Sequence, residues 1–87
     1  MISKVRPAFW RAYDRLAPPV RARARLAYQL FAQNPDHPSL RFKKLHGSRD
    51  IWSVRVNEQY RAAGVRMGDT IEWFWVGTHN EFDNLFS

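Results

Sequence analysis

The stretch that decides the fold is residues 51–77, IWSVRVNEQYRAAGVRMGDTIEWFWVG. It is rich in β-branched and aromatic residues, and short polar turns divide it into three segments. The spacing predicts strands over Ile51–Val56, Tyr60–Met67 and Thr70–Gly77. A fourth segment, Arg41–His46, has the same two-residue period and predicts one more strand. We therefore expect a small, mainly antiparallel sheet of four strands.

The turn between the last two strands sets which residues face each other. Gly68–Asp69 predicts a two-residue hairpin turn, because glycine readily takes the positive φ of a primed turn. In that register Gly64 lies opposite Trp73 and Ala62 lies opposite Trp75. Small residues leave space for indole rings on the neighbouring strand. Trp73, Phe74 and Trp75 are therefore expected to pack mainly in the core and only secondarily to stack on bases.

The turn between the strands Ile51–Val56 and Tyr60–Met67 contains no glycine, and the sequence leaves two lengths possible for it. If residues 57–59 form a three-residue loop, Arg55 lies directly across from Arg61. A two-residue loop would put the two side chains on opposite faces of the sheet. Two opposed arginines repel each other unless an anion lies between them. The first register would cost stability and would be useful for holding a phosphate.

The N-terminal half has the period of helices instead. One helix is predicted over Pro7–Leu16, since proline suits the first turn of a helix. Pro18–Pro19 ends it, and Pro19 opens a second helix that runs to about Gln33. The apolar stripe of the second helix consists of Val20, Ala24, Ala27, Leu30 and Phe31. We expect an α+β fold with an N-terminal antiparallel helical hairpin packed on the sheet and a short C-terminal tail.

Length and composition narrow the class of protein. A chain of 87 residues is expected to form one domain, residues 1–87, around one core. Hydrophobic residues make up 45% of the sequence, which is typical of a packed domain and too many for a disordered tail. The sequence contains no cysteine, signal peptide or membrane-spanning run, so we expect a cytoplasmic protein without a membrane partner.

The charge points to an anionic partner. Lys and Arg total 14 against 8 Asp and Glu, a net charge of +6, and most of the cations are arginine. A guanidinium group donates paired hydrogen bonds to phosphate oxygens and stacks on bases, so this excess of arginine is typical of a nucleic-acid binder. An acidic protein partner explains the same charge, and a merely soluble basic domain is the third interpretation.

Other chemistries fit the sequence poorly. The His, Asp and Glu residues lack metal-ligand spacing, and no glycine-rich phosphate loop follows a strand. The acidic residues are scattered, which argues against a nuclease with two metal ions. We therefore expect no metal and no cofactor.

Three stretches carry a resemblance to a known family: residues 37–45, Trp52–Arg61 and Trp73–Phe82. Their order and spacing resemble toxins of the RelE/ParE superfamily, over nearly the whole chain. The last stretch is similar to the tail of the YafQ-like branch, and Trp52–Asn57 is similar to the HigB-like branch. The resemblance implies a RelE-like fold and the toxin of a type II toxin–antitoxin system. It also implies a cognate antitoxin as partner, with DNA contacted only through the toxin–antitoxin complex.

The activity that this resemblance implies is that of an mRNA interferase. Such a toxin is a ribosome-dependent, metal-independent endoribonuclease, a hydrolase that inhibits translation, and its further partners are mRNA and the ribosome. The 2′-hydroxyl of the RNA attacks the adjacent phosphate and leaves a cyclic phosphate and a free 5′-hydroxyl. This reaction needs a base, cations around the phosphorane and an acid for the leaving oxygen.

The resemblance also implies site residues, position by position. His79 lies where YafQ-like toxins keep a catalytic histidine, although composition alone would make it a surface histidine. Arg61 matches an arginine that contacts the scissile phosphate, and Arg55 and Lys43 lie near positions held by His or Lys in active relatives. These four are the predicted catalytic residues. The predicted RNA-binding residues are Lys44, Arg41, Arg49 and Phe82, the last through base stacking. Lys43 and Lys44 alternate along a strand, so only one of them can face the site.

The chain departs from the YafQ-like pattern in several places. Arg55 and Lys43 replace two histidines, which leaves the general base open. Gln59 replaces an acidic residue, Trp75 replaces a basic one, and only Met1–Val5 remains for a first strand. Two other functions therefore stay open. One is a ParE-like toxin that inhibits DNA gyrase by protein contact, which would need no histidine near the tail. The other is a degenerate toxin that only binds its antitoxin.

Overall fold

The structure is a computed structural model that describes residues 1–48 and 50–86. Its elements are β1 (Ile2–Val5), α1 (Pro7–Asp14), α2 (Pro18–Gln33), a 3₁₀ turn (Pro38–Leu40), β2 (Lys43–Lys44), β3 (Ile51–Arg55), β4 (Tyr60–Met67), β5 (Thr70–Thr78) and α3 (His79–Phe86). The sheet has the order β1-β5-β4-β3-β2. Its pairs are antiparallel except for β1, which runs parallel to β5. The expected α+β class is confirmed, and the expected four strands become a mixed sheet of five.

Both predicted helices are present, and each begins at a proline. The proline ring sets φ near the helical value, and the missing N–H has no partner in a first turn in any case. α1 ends at Asp14, two residues before the predicted end, and the next apolar residue, Leu16, is buried in the core. Pro18 belongs to α2 rather than to the turn before it.

β1 corrects the expectation that the fold starts with a helical hairpin. Ile2–Val5 pairs with the first four residues of β5, from Thr70 to Trp73. The indole Nε1 of Trp73 donates a hydrogen bond of 3.0 Å to the hydroxyl of Ser3, which fastens the two strands side by side. The first strand that the sequence hardly suggests is therefore present at the edge of the sheet.

α3 replaces the predicted short tail. Phe82 and Phe86 place their rings 6.1 and 5.5 Å from the ring of Trp75, measured between centroids. The helix therefore covers one face of the sheet near β5. None of the helices in residues 1–48 and 50–86 is long and apolar enough to cross a membrane.

The main core lies on the other face of the sheet, beneath α1 and α2. Phe31 from α2 is buried there, with its ring centroid 5.3 Å from that of Trp73 and 4.9 Å from that of Phe42. Ala24 is buried as well, so the predicted apolar stripe of α2 does face the core. Burial of these side chains on one side of the sheet leaves its other side available for α3 and for polar residues.

The predicted turn between β4 and β5 is confirmed, since Met67 pairs with Thr70. Gly64 lies opposite Trp73, as expected. A Cβ atom on Gly64 would lie 2.9 Å from Cε3 of Trp73, which is closer than a carbon contact allows. The small residue is therefore a requirement of the packing around this indole ring.

The predicted pairing of Ala62 with Trp75 is wrong. The register shifts by one residue between Ala63 and Gly64, so that Trp75 pairs with Ala63 and Val76 pairs with Ala62. Phe74 is the extra residue of this β-bulge. Strict alternation would put both tryptophans of the run on one face, whereas an extra residue sends them to opposite faces. One indole then packs beneath the first two helices and the other beneath α3.

Candidate functional site

Arg55 and Arg61 lie directly opposite each other on β3 and β4. The N–H of Val56 donates a hydrogen bond of 2.9 Å to the carbonyl of Tyr60, which leaves residues 57–59 as a three-residue turn. Directly opposed residues have Cβ atoms about 4.5–5.5 Å apart. The register that brings the two arginines together is therefore the one that the chain adopts. Both side chains are half-buried.

Asn57 explains how a turn without glycine closes with three residues. Its Oδ1 accepts hydrogen bonds of 2.9 Å from the backbone N–H groups of Gln59 and Tyr60. Asparagine side chains form such turns because they mimic a backbone carbonyl. This residue was the signal in the sequence that could have decided between the two registers.

Lys43 lies on the same face of the sheet as the two arginines. It pairs with Ser53, which precedes Arg55 by two residues, and alternate residues of a strand share a face. Lys43 and Arg55 are thus diagonal neighbours, about 7–8 Å apart. Lys44 pairs with Trp52 and lies on the opposite face. The expected alternation of the two lysines between the faces of the sheet is confirmed.

His79 begins α3 at the end of this face, beside the turn between β3 and β4. Its backbone N–H donates a hydrogen bond of 2.7 Å to the carbonyl of Gln59, one step beyond the pair of Thr78 with Tyr60. The imidazole is 46% exposed, and its Nε2 lies 3.4 Å from Oδ2 of Asp83, one helical turn further on. The ring is held at the site and stays accessible to a ligand.

The start of α3 is fixed by a capping box. The hydroxyl of Thr78 accepts a hydrogen bond of 3.1 Å from the N–H of Glu81. In return Oε1 of Glu81 accepts hydrogen bonds from the N–H of Thr78 at 2.8 Å and from its hydroxyl at 3.0 Å. These bonds, first the one from the backbone and then the one from the hydroxyl, lower the pKa of the Glu81 carboxyl. Thr78-His79-Asn80-Glu81 is the sequence signature of such a cap, and sequence reasoning missed it together with the helix.

Gly77 lets α3 approach the sheet. It pairs with Arg61, and a Cβ atom at this position would lie 2.5 Å from Cζ2 of Trp75 and 2.9 Å from Oε1 of Glu81. Any larger residue would push against both the indole ring and the capping box. The glycine before the Thr-His pair is thus a packing requirement that holds His79 in place.

Phe82 does not fit its predicted role in base stacking. It is only 2% exposed, and its ring packs against Trp75 and Phe86 at centroid distances of 6.1 and 5.1 Å. The guanidinium carbon of Arg61 lies 5.8 Å from the centroid of the same ring. A buried ring offers no face to a base. Phe82 instead supports Arg61 through a cation–π contact, worth about 0.5–1 kcal/mol at such a partly exposed place.

Of the two remaining predicted RNA-binding residues, the structure describes one. Arg41 is exposed and follows the 3₁₀ turn with a φ of 47°. Arg49 lies outside the described residues. The residues that the structure brings to one face of the sheet are therefore Lys43, Arg55 and Arg61, with His79 at its end.

The cations of this face have no carboxylate partner within the described part of the chain. Elsewhere in the described residues, ion pairs join Met1 to Asp69 and Arg6 to Glu72, and a third joins His79 to Asp83 at the start of α3. Among the residues that the structure describes, no carboxylate pairs with these two opposed arginines, an arrangement that favours binding of a phosphate. Within residues 1–48 and 50–86, no three His, Asp or Glu side chains converge to hold a metal ion.

Comparison with known proteins gives a family and a set of similar folds. The model of the ParE-like toxin domain matches residues 18–84. No curated protein sequence matches the chain. The fold is similar to the RelB–RelE antitoxin–toxin complex from Methanococcus jannaschii, with 19% identity, a TM-score of 0.73, and coverage of 97% of this chain and 99% of that one. For YafQ from E. coli strain BL21(DE3) the identity is 12%, the TM-score is 0.72, and the match covers 98% of this chain and 97% of that one. For the YoeB/ParE toxin from Agrobacterium tumefaciens the identity is 16%, the TM-score is 0.67, and the match covers 91% of this chain and 99% of that one. The architecture is thus RelE-like.

Proposed function

This chain belongs to the ParE-like toxin domain family. We propose that it is the toxin of a type II toxin–antitoxin pair and that it acts in the cytoplasm, where it cleaves mRNA on the ribosome. The observation that carries the proposal is the opposed pair Arg55 and Arg61 on one face of the sheet, with His79 held at the end of the same face. Cations around a phosphate and an accessible imidazole beside them are what RNA cleavage by transesterification needs.

In this proposal the arginine pair holds the scissile phosphate. The guanidinium groups of Arg55 and Arg61 donate hydrogen bonds to its non-bridging oxygens, and Lys43 adds a third positive charge from the neighbouring strand. Negative charge on these oxygens grows as the phosphorane forms, so fixed cations stabilise the transition state more than the ground state. Phe82 keeps Arg61 in place from below.

His79 is assigned the role of acid. The oxygen of the 2′-hydroxyl forms a bond to phosphorus and its proton passes to water, while the bond from phosphorus to the 5′-oxygen breaks. The protonated imidazole gives its proton to that 5′-oxygen, which leaves as a hydroxyl. The products are a 2′,3′-cyclic phosphate and a free 5′-hydroxyl. Asp83, whose Oδ2 lies 3.4 Å from Nε2, orients the ring.

The proposed protein partner is a cognate antitoxin. A net charge of +6 and a face of arginines and lysines that lack carboxylate partners in the described residues favour a partner with acidic side chains. The similar fold from Methanococcus jannaschii belongs to an antitoxin–toxin complex, which supports the same assignment. Contact with DNA would then take place only through the complex.

The test is pulsed expression of the toxin without its antitoxin, followed by mapping of mRNA 5′ ends by primer extension. His79→Ala and Arg61→Ala are compared with Arg11→Ala, which removes an exposed arginine from α1. We expect new cuts within translated codons for the wild type and for Arg11→Ala, and none for the two site variants.

Two other outcomes would contradict this function. Growth arrest with intact mRNA would indicate a protein target such as DNA gyrase. Growth without arrest and without cuts would indicate a chain that only binds its antitoxin.

A further inference from the structure

The turn of residues 57–59 joins the arginine pair to His79. Oδ1 of Asn57 accepts a hydrogen bond of 2.9 Å from the N–H of Gln59. The carbonyl of Gln59 in turn accepts a hydrogen bond of 2.7 Å from the N–H of His79. Gln59 is therefore held from both sides, by the asparagine side chain and by the first residue of α3, and the strands that flank this turn carry Arg55 and Arg61.

Hydrogen bonds, rather than packing, set the position of the Gln59 carbonyl. Glu58 and Gln59 are both exposed, so their side chains are not fixed in a core. Oδ1 of Asn57 also accepts a hydrogen bond of 2.9 Å from the N–H of Tyr60, which fixes the far end of the turn. The Asn57 side chain thus holds two successive N–H groups, and its removal would leave the carbonyl between them free to move.

The bond to Gln59 ties His79 to the strands that carry the arginines. Asp83 lies on the same helix as His79, so their contact orients the ring but does not connect α3 to the sheet. Packing of Phe82 against Trp75 holds the helix on the sheet, but apolar contacts have little direction. A hydrogen bond has a preferred length and angle. The bond to Gln59 therefore sets where the first turn of α3 lies relative to the arginine pair.

The arginine pair itself has a separate support. β3 and β4 pair without interruption from Ile51 to Arg55, so the ladder reaches the pair before the turn begins. This ladder keeps the two arginines opposite each other even if the turn beyond them loosens. A change at Asn57 should therefore act on His79 and leave the phosphate-binding pair in place.

We propose that Asn57 is a positioning residue for the cleavage reaction. Through the carbonyl of Gln59 it holds His79 where the imidazole gives its proton to the leaving 5′-oxygen. The inference rests on the proposed function for the identity of the reaction. Proton transfer needs heavy atoms about 2.6–3.2 Å apart, so a small shift of α3 is enough to separate the acid from that oxygen. Asn57 itself touches no reacting atom in this scheme.

The first test separates the rate of the chemical step from the affinity for RNA. Cleavage of mRNA on programmed ribosomes is followed in single turnovers at increasing toxin concentration. The proteins compared are the wild type, Asn57→Ala, Asn57→Asp and the matched control Asn34→Ala. Oδ1 of Asn34 accepts the same type of hydrogen bond, 3.2 Å long, from the N–H of Asp36, but this residue lies at the C-terminal end of α2.

We expect Asn57→Ala to lower the maximal rate about 10- to 100-fold, as for a displaced reacting group, and to change the half-saturating toxin concentration less than about threefold. Asn57→Asp keeps the acceptor oxygen, so its maximal rate should stay within about threefold of the wild-type rate. Its added negative charge near the arginines should weaken RNA binding instead. Asn34→Ala should match the wild type in both quantities.

Two results would overturn the inference. An equal fall of the maximal rate in Asn57→Ala and Asn34→Ala would mean that the loss reflects stability alone. A loss of affinity in Asn57→Ala with an unchanged maximal rate would mean that Asn57 serves the arginine pair and not His79.

Amide hydrogen exchange of the free toxin separates this inference from the proposed function. The amide of His79 should exchange at least about tenfold faster in Asn57→Ala than in the wild type or in Asn34→Ala. If the wild type cuts no mRNA, the proposed function is wrong, and faster exchange in Asn57→Ala alone would still show that Asn57 holds His79. If the wild type cuts mRNA and Asn57→Ala cuts it at the same maximal rate, the proposed function stands and the inference is wrong.

Discussion

Replacement of Gly77 by alanine tests how tightly α3 is held against the sheet. The added Cβ would lie 2.5 Å from Cζ2 of Trp75, and an ordinary contact begins near 3.4 Å, so the ring edge must retreat by about 0.9 Å. The ring cannot retreat freely, because Phe82 and Phe86 pack on it. The same Cβ would lie 2.9 Å from Oε1 of Glu81, so the capping box must open as well.

The magnitude follows from these contacts. Overpacking of a well-packed region costs about 1–3 kcal/mol. Loss of the cap costs about 1 kcal/mol more. The lower entropy of the unfolded alanine chain returns about 0.4–1 kcal/mol. We therefore expect Gly77→Ala to lower the free energy of unfolding by about 1–3 kcal/mol, and the melting temperature by about 5–20 °C for a domain of this size.

The assay is urea unfolding of the purified toxin in a double-mutant cycle with Trp75→Leu. Leucine removes the ring atoms that the new Cβ would meet, so the cost of Gly77→Ala should shrink by at least half in that background. An equal cost in both backgrounds would refute the steric explanation. A glycine that is needed only for backbone conformation would give that equal cost.

Three further predictions concern the elements that hold the site. Thr78→Ala should cost about 1 kcal/mol. The part of this cost that comes from the hydrogen bond of the hydroxyl to the Glu81 carboxylate depends on pH: because the pKa of Glu81 is lowered only in the folded state, that part is present above the ordinary value of 4.5 and is lost as pH falls through the lowered value. Urea titrations should therefore show the difference in unfolding free energy between wild type and variant narrowing below pH 4.5, and a constant difference would contradict the hydrogen bond from the hydroxyl to the carboxylate. Asn57→Ala should cost about 1–2 kcal/mol through its two lost hydrogen bonds, whereas Asn57→Asp, which keeps the acceptor oxygen, should cost less by the same titration. Phe82→Ala should cost about 3–5 kcal/mol by thermal unfolding, and Leu85→Ala on the same helix, at a residue 61% exposed, should cost less than about 0.5 kcal/mol; similar costs would show that α3 is not packed as described.

The sequence predicts the part of the sheet whose pattern is local. The two long strands and the turn at Gly68 follow from alternation and turn chemistry, and the structure confirms them. The bulge at Phe74 does not follow from the pattern. It arises because the two flanking tryptophans each need a separate cavity on opposite faces, and that need exists only once the helices are in place.

β1 and α3 show two different reasons for a missed element. Ile2–Val5 is too short to display a period, and its hydrogen bonds depend on Thr70 and its neighbours far along the chain. The local sequence of α3 does indicate a helix, since a Thr-x-x-Glu cap precedes apolar residues at helical spacing. The first could not be found from local sequence, whereas the second could.

For the candidate site, the sequence and the resemblance together predict which residues meet but not which of them are exposed. Lys43, Arg55 and Arg61 share one face, as the chosen register requires. Phe82 is buried, because an aromatic residue one turn into an amphipathic helix is drawn to the sheet rather than to solvent. Solvent access depends on how α3 packs, and the motif that suggests a tail carries no information about that packing.

The parallel pairing of β1 with β5 has a consequence for the order of folding during synthesis. β1 is made first, yet it has no partner until residues 70–73 have left the ribosome. The same late segment supplies the strand opposite Arg61 and leads into His79. Pairings between distant parts of a chain form late. A nascent chain therefore lacks both the parallel edge of its sheet and the strand that pairs with Arg61 until translation has passed β5.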